Sequence, residues 1–262
     1  MSAPKLDRDR ARALVERHWR RLYNFLFRVT FDKDRASRYL ADVFAVAAAQ
    51  LASAPASDAD RELWLCGLAN KLVEDRLPRQ PVVTFDILDG TLRDEATRTD
   101  VVRSLDDPQR QLLLWDLKQG CMTSVVNCLP SGERAAFVVC HVMKLADADA
   151  AQVLGITESA YKVRLSRARK KIGDYLAPRC EHVNPNNPCR CPARVGTALH
   201  KGFIQVGGEL SLRKPQPYGR YGTGDGHDDV PLRDIAAIYG ALPEPDAPAD
   251  LAERLVDALA AA

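Results

Sequence analysis

Cys180-Glu-His182 and Cys189-Arg-Cys191 form a CxH(x6)CxC pattern. Three thiolates and one imidazole are a donor set for tetrahedral zinc, with Zn–S near ~2.3 Å. The intervening VNPNNP is rich in turn formers and can fold the two halves together. The spacing is not that of a standard zinc finger. Two other readings stand beside the metal: redox-active thiols, lowered in pKa beside Arg179, Arg190 and Arg194, and cysteines with no special role. A zinc deaminase is excluded. That chemistry needs His-x-Glu followed by Pro-Cys-x-x-Cys; here Val183-Asn184 follow His182, and the second cysteine after Pro188 is one residue too close.

A second chemistry lies just upstream. Asp147 to Lys171 reads as helix, tight turn and helix. Ala150, Ala151 and Leu154 give the first helix a small apolar face, and Gly155 stands where a left-handed C-cap belongs. Thr157 is placed to cap the next helix, with Glu158 in its first turn. Tyr161, Leu165, Ala168, Ile172 and Tyr175 then recur at helical spacing. Lys162, Arg164, Arg167, Arg169, Lys170 and Lys171 fall mostly off that stripe. A cationic amphipathic helix after a Gly-containing turn suits the DNA major groove. The plainer reading is a solvated basic helix; the turn chemistry and the one-sided charge argue against it. No phosphate-cradling Gly loop and no nucleophile elbow occurs, so the expectation is a chain that is not an enzyme, with no catalytic residues.

The surrounding elements are predicted to be all helical, in two small domains joined by a linker. Residues 7–80 form the first, with Leu14, Leu22, Phe25, Leu26 and Val29, then Leu40, Val43, Phe44 and Ala47, then Leu65, Leu68, Ala69 and Leu72 turned inward. LASAPASDAD (51–60) reads as a loop. Residues 81–108 read as the linker, with a short strand-like VVTF. Residues 109–178 carry a helix from Gln109 to Cys128, another from Glu133 to Lys144, and the helix-turn-helix. Residues 179–262 form a largely irregular extension, with a Gly-, Pro- and Asp-rich flexible stretch from Lys214 to Asp229 and two short terminal helices near 231–239 and 249–261.

The net charge of +2 hides segregation. Glu158 to Arg179 carries seven basic residues against two acids; Asp225 to Asp257 carries nine acids against two arginines. This points to a nucleic-acid partner and a separate acidic segment that could face the basic helix. The N-terminus shows no apolar signal core, and no run reaches the ~18–20 apolar residues of a membrane span. The expectation is a cytoplasmic protein without membrane insertion, its seven cysteines reduced. Cys66, Cys121, Cys128 and Cys140 sit in apolar helical patterns and read as buried thiols.

LPSGERAAFVV (129–139), followed by the helix-turn-helix with Leu154-Gly155-Ile156 and Ser166-Arg167-Ala168-Arg169, resembles the promoter-binding C-terminal domain of bacterial sigma factors of the extracytoplasmic-function type. The chain departs from the family where Thr-Val is usual, having Ala160-Tyr161, and where Ser often precedes the first Arg, having Val163. The resemblance implies DNA binding by Ser159, Lys162, Val163, Arg164, Ser166, Arg167, Arg169 and Lys170. Of these, Lys162, Val163, Ser166 and Arg167 are the candidate groove contacts, Val163 against a thymine methyl. Arg164, Arg169 and Lys170, with Lys171, are the candidate phosphate contacts.

LVERHWRRLYNFLFRVT (14–30) and WLCGLANKLVEDRL (64–77) are similar, more weakly, to the other sigma domain. That implies promoter opening by Trp64, Lys71 and Arg76; Trp64 itself reads first as a core residue, with a base-stacking platform as the alternative. It also implies polymerase binding through Arg38, Ala41 and Asp42, of which only Asp42 keeps the family's acid. The implied function is a sigma factor that directs RNA polymerase core to promoters, with promoter DNA as the other partner and an anti-sigma factor as a candidate one. The alternative is a helix-turn-helix regulator, or a polymerase- or anti-sigma-binding module, without initiation activity. No cofactor is required for that role; zinc on Cys180, His182, Cys189 and Cys191 is the candidate metal.

Overall fold

In the first helix, α1 (Arg8–Thr30), the Asp7 side chain accepts the Arg10 N–H at 2.9 Å. Asp32 does the same for α2 (Lys33–Ala49), accepting from Arg35 N–H at 2.8 Å. Ser57 caps α3 (Asp58–Arg76) by accepting from Asp60 N–H at 3.1 Å. A 3-10 turn at Leu51–Ser53 fills part of the expected loop. The computed structural model describes residues 6–93, 107–200, 204, 234–242 and 244–261. Among them no strand ladder forms, and the fold is all-α, with one isolated bridge between Cys180 and Cys189.

The elements group into two compact units that do not follow chain order. The first comprises Met1–Val82, Leu129–Ala168 and Pro243–Ala262. There α1, α2 and α3 pack on one another and bury Leu22, Phe25, Leu26, Leu40, Phe44 and Leu65 completely. Later segments join this core. After α4 (Phe85–Arg93) and α5 (Asp107–Asn127) come α6 (Ser131–His141) and α7 (Asp147–Val153), which pack against α1 and α3. Arg21 donates to the Met143 carbonyl at 2.8 Å, and Ser131 N–H donates to the Arg79 carbonyl at 2.9 Å.

The last helix of the chain also belongs to this unit. It follows α8 (Glu158–Leu176), α9 (Val195–His200) and α10 (Ile235–Gly240), and is labelled α11 (Leu251–Ala261). It lies on α1 and α2 and buries Leu251, Leu255, Val256 and Leu259. Its acids meet the start of α1: Arg8 reaches Asp257 at 2.9 Å and Arg12 reaches Glu253 at 3.1 Å. These pairs are exposed and stabilise little; the apolar face holds the helix. The acidic segment was expected to face the basic helix, but these two acids pair with arginines of α1 instead.

The second unit comprises Val83–Cys128 and Arg169–Leu242. Within the expected linker, Val82–Phe85 is not a strand. Thr84 caps α4, accepting the Ile87 N–H at 3.3 Å, and this local bond pulls Phe85 into a helix. Phe85 rests on Tyr175 with ring centroids 5.0 Å apart, and Arg179 pairs with Asp89 at 2.9 Å. Leu113 and Leu114 of α5 cluster with Cys191, Val195, Ala198 and Ile204, and Tyr239 donates to the Met122 carbonyl at 3.1 Å. Residues 94–106 of the expected linker and the Gly-rich stretch 214–229 lie outside the described residues.

One buried group makes the first unit sensitive to pH. His18 on α1 is 2% exposed, and its Nδ1 has no hydrogen-bond partner. Burial lowers its pKa from the ordinary value, although Glu62 and Asp58 pull the other way. The unfolded chain therefore binds a proton near pH ~6.5 that the fold rejects. Stability is full above that pH and falls as pH drops below it. We expect the thermal midpoint to decline from pH 7 to pH 5.5, and His18→Gln to flatten that decline. A midpoint that follows the same curve in both proteins would remove His18 as the cause.

Candidate nucleic-acid interface

The turn between α7 and α8 closes as its residues require. Gly155 has φ +63°, a left-handed value that an L side chain resists. Gly155 N–H donates to the Gln152 carbonyl and Ile156 N–H to the Ala151 carbonyl, both at 3.1 Å, which closes the end of α7. Thr157 then caps α8, its Oγ1 accepting from Ala160 N–H at 3.2 Å. The predicted apolar stripe is buried along its whole length: Tyr161, Leu165, Ala168, Ile172 and Tyr175.

The opposite face is open. Ser159, Lys162, Val163, Ser166 and Arg167 line one shallow concavity, in which Val163 is 47% exposed. Lys162 lies 3.6 Å from Asp147 and 3.5 Å from Glu158, both exposed pairs. Farther along α8, Arg169 and Lys170 are exposed, and Lys170 pairs with Asp174 at 3.0 Å. Arg164 stands apart. Its guanidinium lies 3.1 Å from where a Cβ on Gly132 would sit and 4.0 Å from Glu74, so it turns toward α6 and α3. The structure thus gathers Ser159, Lys162, Val163, Ser166 and Arg167 on one face and turns Arg164 inward.

On α2, Arg38 is exposed while Ala41 and Asp42 are half-buried. Asp42 forms an ion pair with Arg76 of α3, whose guanidinium also lies over the Tyr39 ring, 5.2 Å from its centroid. One residue read for polymerase and one read for promoter opening are therefore joined to each other. Trp64 is half-buried and Lys71 exposed, seven residues apart and so on one face of α3. Arg76 lies on another face.

The cysteine–histidine segment is drawn together by backbone pairing. Cys189 N–H donates to the Arg179 carbonyl at 3.0 Å, and Glu181 N–H to the Cys189 carbonyl at 3.2 Å. Cys180 and Cys189 become bridge neighbours, and Cys191 Sγ comes within 3.4 Å of His182 Nε2. The tightest group is Glu181, His182 and Cys191, whose donor atoms all lie within 4.8 Å of one another. Cys180 and Cys189 are adjacent to this group and outside it. Glu181 was passed over in the sequence as a spacer; its place between a cysteine and a histidine was the available signal. All seven cysteines are free thiols. Burial pushes the Cys180 thiol up to about 11, and Cys121 is raised further, against the low-pKa thiolates a redox centre would use.

The helix-turn-helix defines the class of domain: the family model for sigma-70 region 4 matches residues 119–172. Over 166 residues the chain is 25% identical to the ECF RNA polymerase sigma factor SigE of Mycolicibacterium smegmatis. That similarity covers 63% of this chain and 60% of that protein's length. Together the two findings support a sigma factor of the ECF type. No helix among the described residues is long and apolar enough to cross a membrane.

Proposed function

We propose that this chain directs RNA polymerase core to particular promoters and initiates transcription there, in the cytoplasm. The observation that carries this reading is the open face of Ser159, Lys162, Val163, Ser166 and Arg167, on the second helix of a segment matched by sigma-70 region 4. Its side chains offer hydrogen-bond donors and acceptors, two cations and one apolar contact, the mixture that reads base edges in a major groove. Arg169 and Lys170 extend the cationic surface toward phosphates. Arg38, Ala41 and Asp42 on α2 would meet the polymerase, and Trp64 and Lys71 on α3 the opened strand. The role is regulatory and needs no catalytic residue. An anti-sigma factor is a further candidate partner.

A second reading is favoured by one observation. Asp42, the single acid kept from the polymerase-binding pattern, is held by Arg76. A DNA-binding regulator that no longer engages polymerase would tolerate that pairing. Run-off transcription by purified core polymerase with this protein, on a promoter library, separates the readings. Promoter-specific transcripts support initiation. Specific DNA binding without transcripts supports the regulator, and polymerase binding without DNA binding leaves a protein-binding module.

A further inference from the structure

We propose that Glu181, His182 and Cys191 bind a zinc-class divalent cation. These three donors are one carboxylate, one imidazole and one thiol, a set suited to zinc rather than to calcium or magnesium. All three residues are buried, at 8%, 1% and 8% exposure. A tetrahedral ion with Zn–S of about 2.3 Å and Zn–N of about 2.0–2.1 Å sets sulfur and nitrogen about 3.6 Å apart. The His182 Nε2 to Cys191 Sγ separation is 3.4 Å, so the pair already stands at nearly the required edge. A simple thiol–imidazole hydrogen bond explains that one distance. It does not call for a third buried donor, yet the Glu181 carboxylate lies within 4.8 Å of both atoms.

The scaffold around these donors is built by the chain itself. The Cys180–Cys189 bridge sets residues 180–182 beside 189–191. Asn187 ties the intervening loop shut, its Nδ2 donating to the Ala177 carbonyl at 2.7 Å and to the Cys180 carbonyl at 2.9 Å. The Glu181 carboxylate is oriented from both sides: Oε1 accepts the Cys191 N–H at 2.6 Å, and Oε2 lies 3.7 Å from Arg190. Such supporting contacts fix a ligand and strengthen its binding. Cys191 also belongs to an apolar cluster with Leu113, Leu114, Val195 and Ala198. The fourth coordination position falls to a neighbouring thiol of the Cys180–Cys189 pair or to a solvent molecule.

The test uses the full chain, stripped with chelator and reloaded. Zinc content after desalting is expected at about one ion per chain. Cobalt substitution is expected to give a tetrahedral visible spectrum with a thiolate charge-transfer band. Glu181→Gln, His182→Gln and Cys191→Ser should each weaken zinc binding at least about tenfold, while Cys140→Ser should not. Glu181→Gln is the most conservative of these and guards against a general folding defect, which far-UV circular dichroism also monitors. Zinc below about a tenth of an ion per wild-type chain would overturn the proposal, as would wild-type affinity in all three ligand variants. The readout is metal content and spectrum, so it is independent of whether the chain initiates transcription.

Discussion

Arg134→Ala is expected to destabilise the first unit by about 2–4 kcal/mol, among the largest single-residue effects in the chain. Arg134 is 8% exposed. Its guanidinium donates to the Val29 carbonyl at 2.6 Å and to the Leu129 carbonyl at 3.0 Å. Val29 stands in the last turn of α1, where four carbonyls have no partner within the helix and where the helix dipole is negative. Arg134 therefore caps α1 from α6, more than a hundred residues along the chain. Truncation leaves the Val29 carbonyl without that donor inside a packed core and removes the positive charge that suits the helix end. Arg134→Lys should recover only part of the loss, because an ammonium cannot span two carbonyls in the fixed fork of a guanidinium. Urea unfolding of the three proteins checks this. Equal midpoints for the wild type and Arg134→Ala would show that the bonds contribute nothing net.

That contact also marks what a one-dimensional reading of the chain can reach. The turn at Gly155 and Thr157 and the stripe from Tyr161 to Tyr175 were legible because each rests on neighbours within one or two helical turns. A positive φ, a cap and a 3.6-residue period are local quantities, and the sequence carries them directly. Arg134 was legible only as part of the LPSGERAAFVV stretch; its partner at Val29 is set by packing. The C-terminal helix was expected from its apolar spacing, yet its docking on α1 and α2 could not be. The charge pattern pointed toward the most basic helix, whereas four buried aliphatic side chains dock α11 and set Glu253 and Asp257 beside arginines of α1. Thr84 is the local exception: its hydroxyl was available as a cap, and the β-branched run around it masked that signal. In the cysteine–histidine segment, the spacing pointed to the two stretches that backbone pairing draws together. The choice of Glu181 over Cys180 and Cys189 as the nearest donor depended on a bridge register that spacing does not encode.

The same distinction between local face and tertiary placement separates the arginines of α8, and this gives the second large effect. Arg167→Ala is expected to lower promoter affinity about 5- to 150-fold, corresponding to the ~1–3 kcal/mol of a good base contact. Arg167 lies in the open concavity with Ser159, Lys162, Val163 and Ser166, and none of its neighbours there is an acid. Lys162→Ala should act in the same direction. The two acids near Lys162 hold it only through exposed pairs, each contributing about 0–1 kcal/mol, so a phosphate or base edge can displace them. Where either residue meets phosphate, its loss should also reduce the steepness of salt dependence by about one unit. Arg164→Ala should behave differently, because its guanidinium rests against Gly132 and near Glu74. It is expected to change the unfolding midpoint more than the salt slope. Fluorescence anisotropy on a selected promoter duplex, repeated at several salt concentrations for the three variants, makes the comparison. Unchanged affinity in the Lys162→Ala/Arg167→Ala double variant would move the DNA-reading surface off this face of α8.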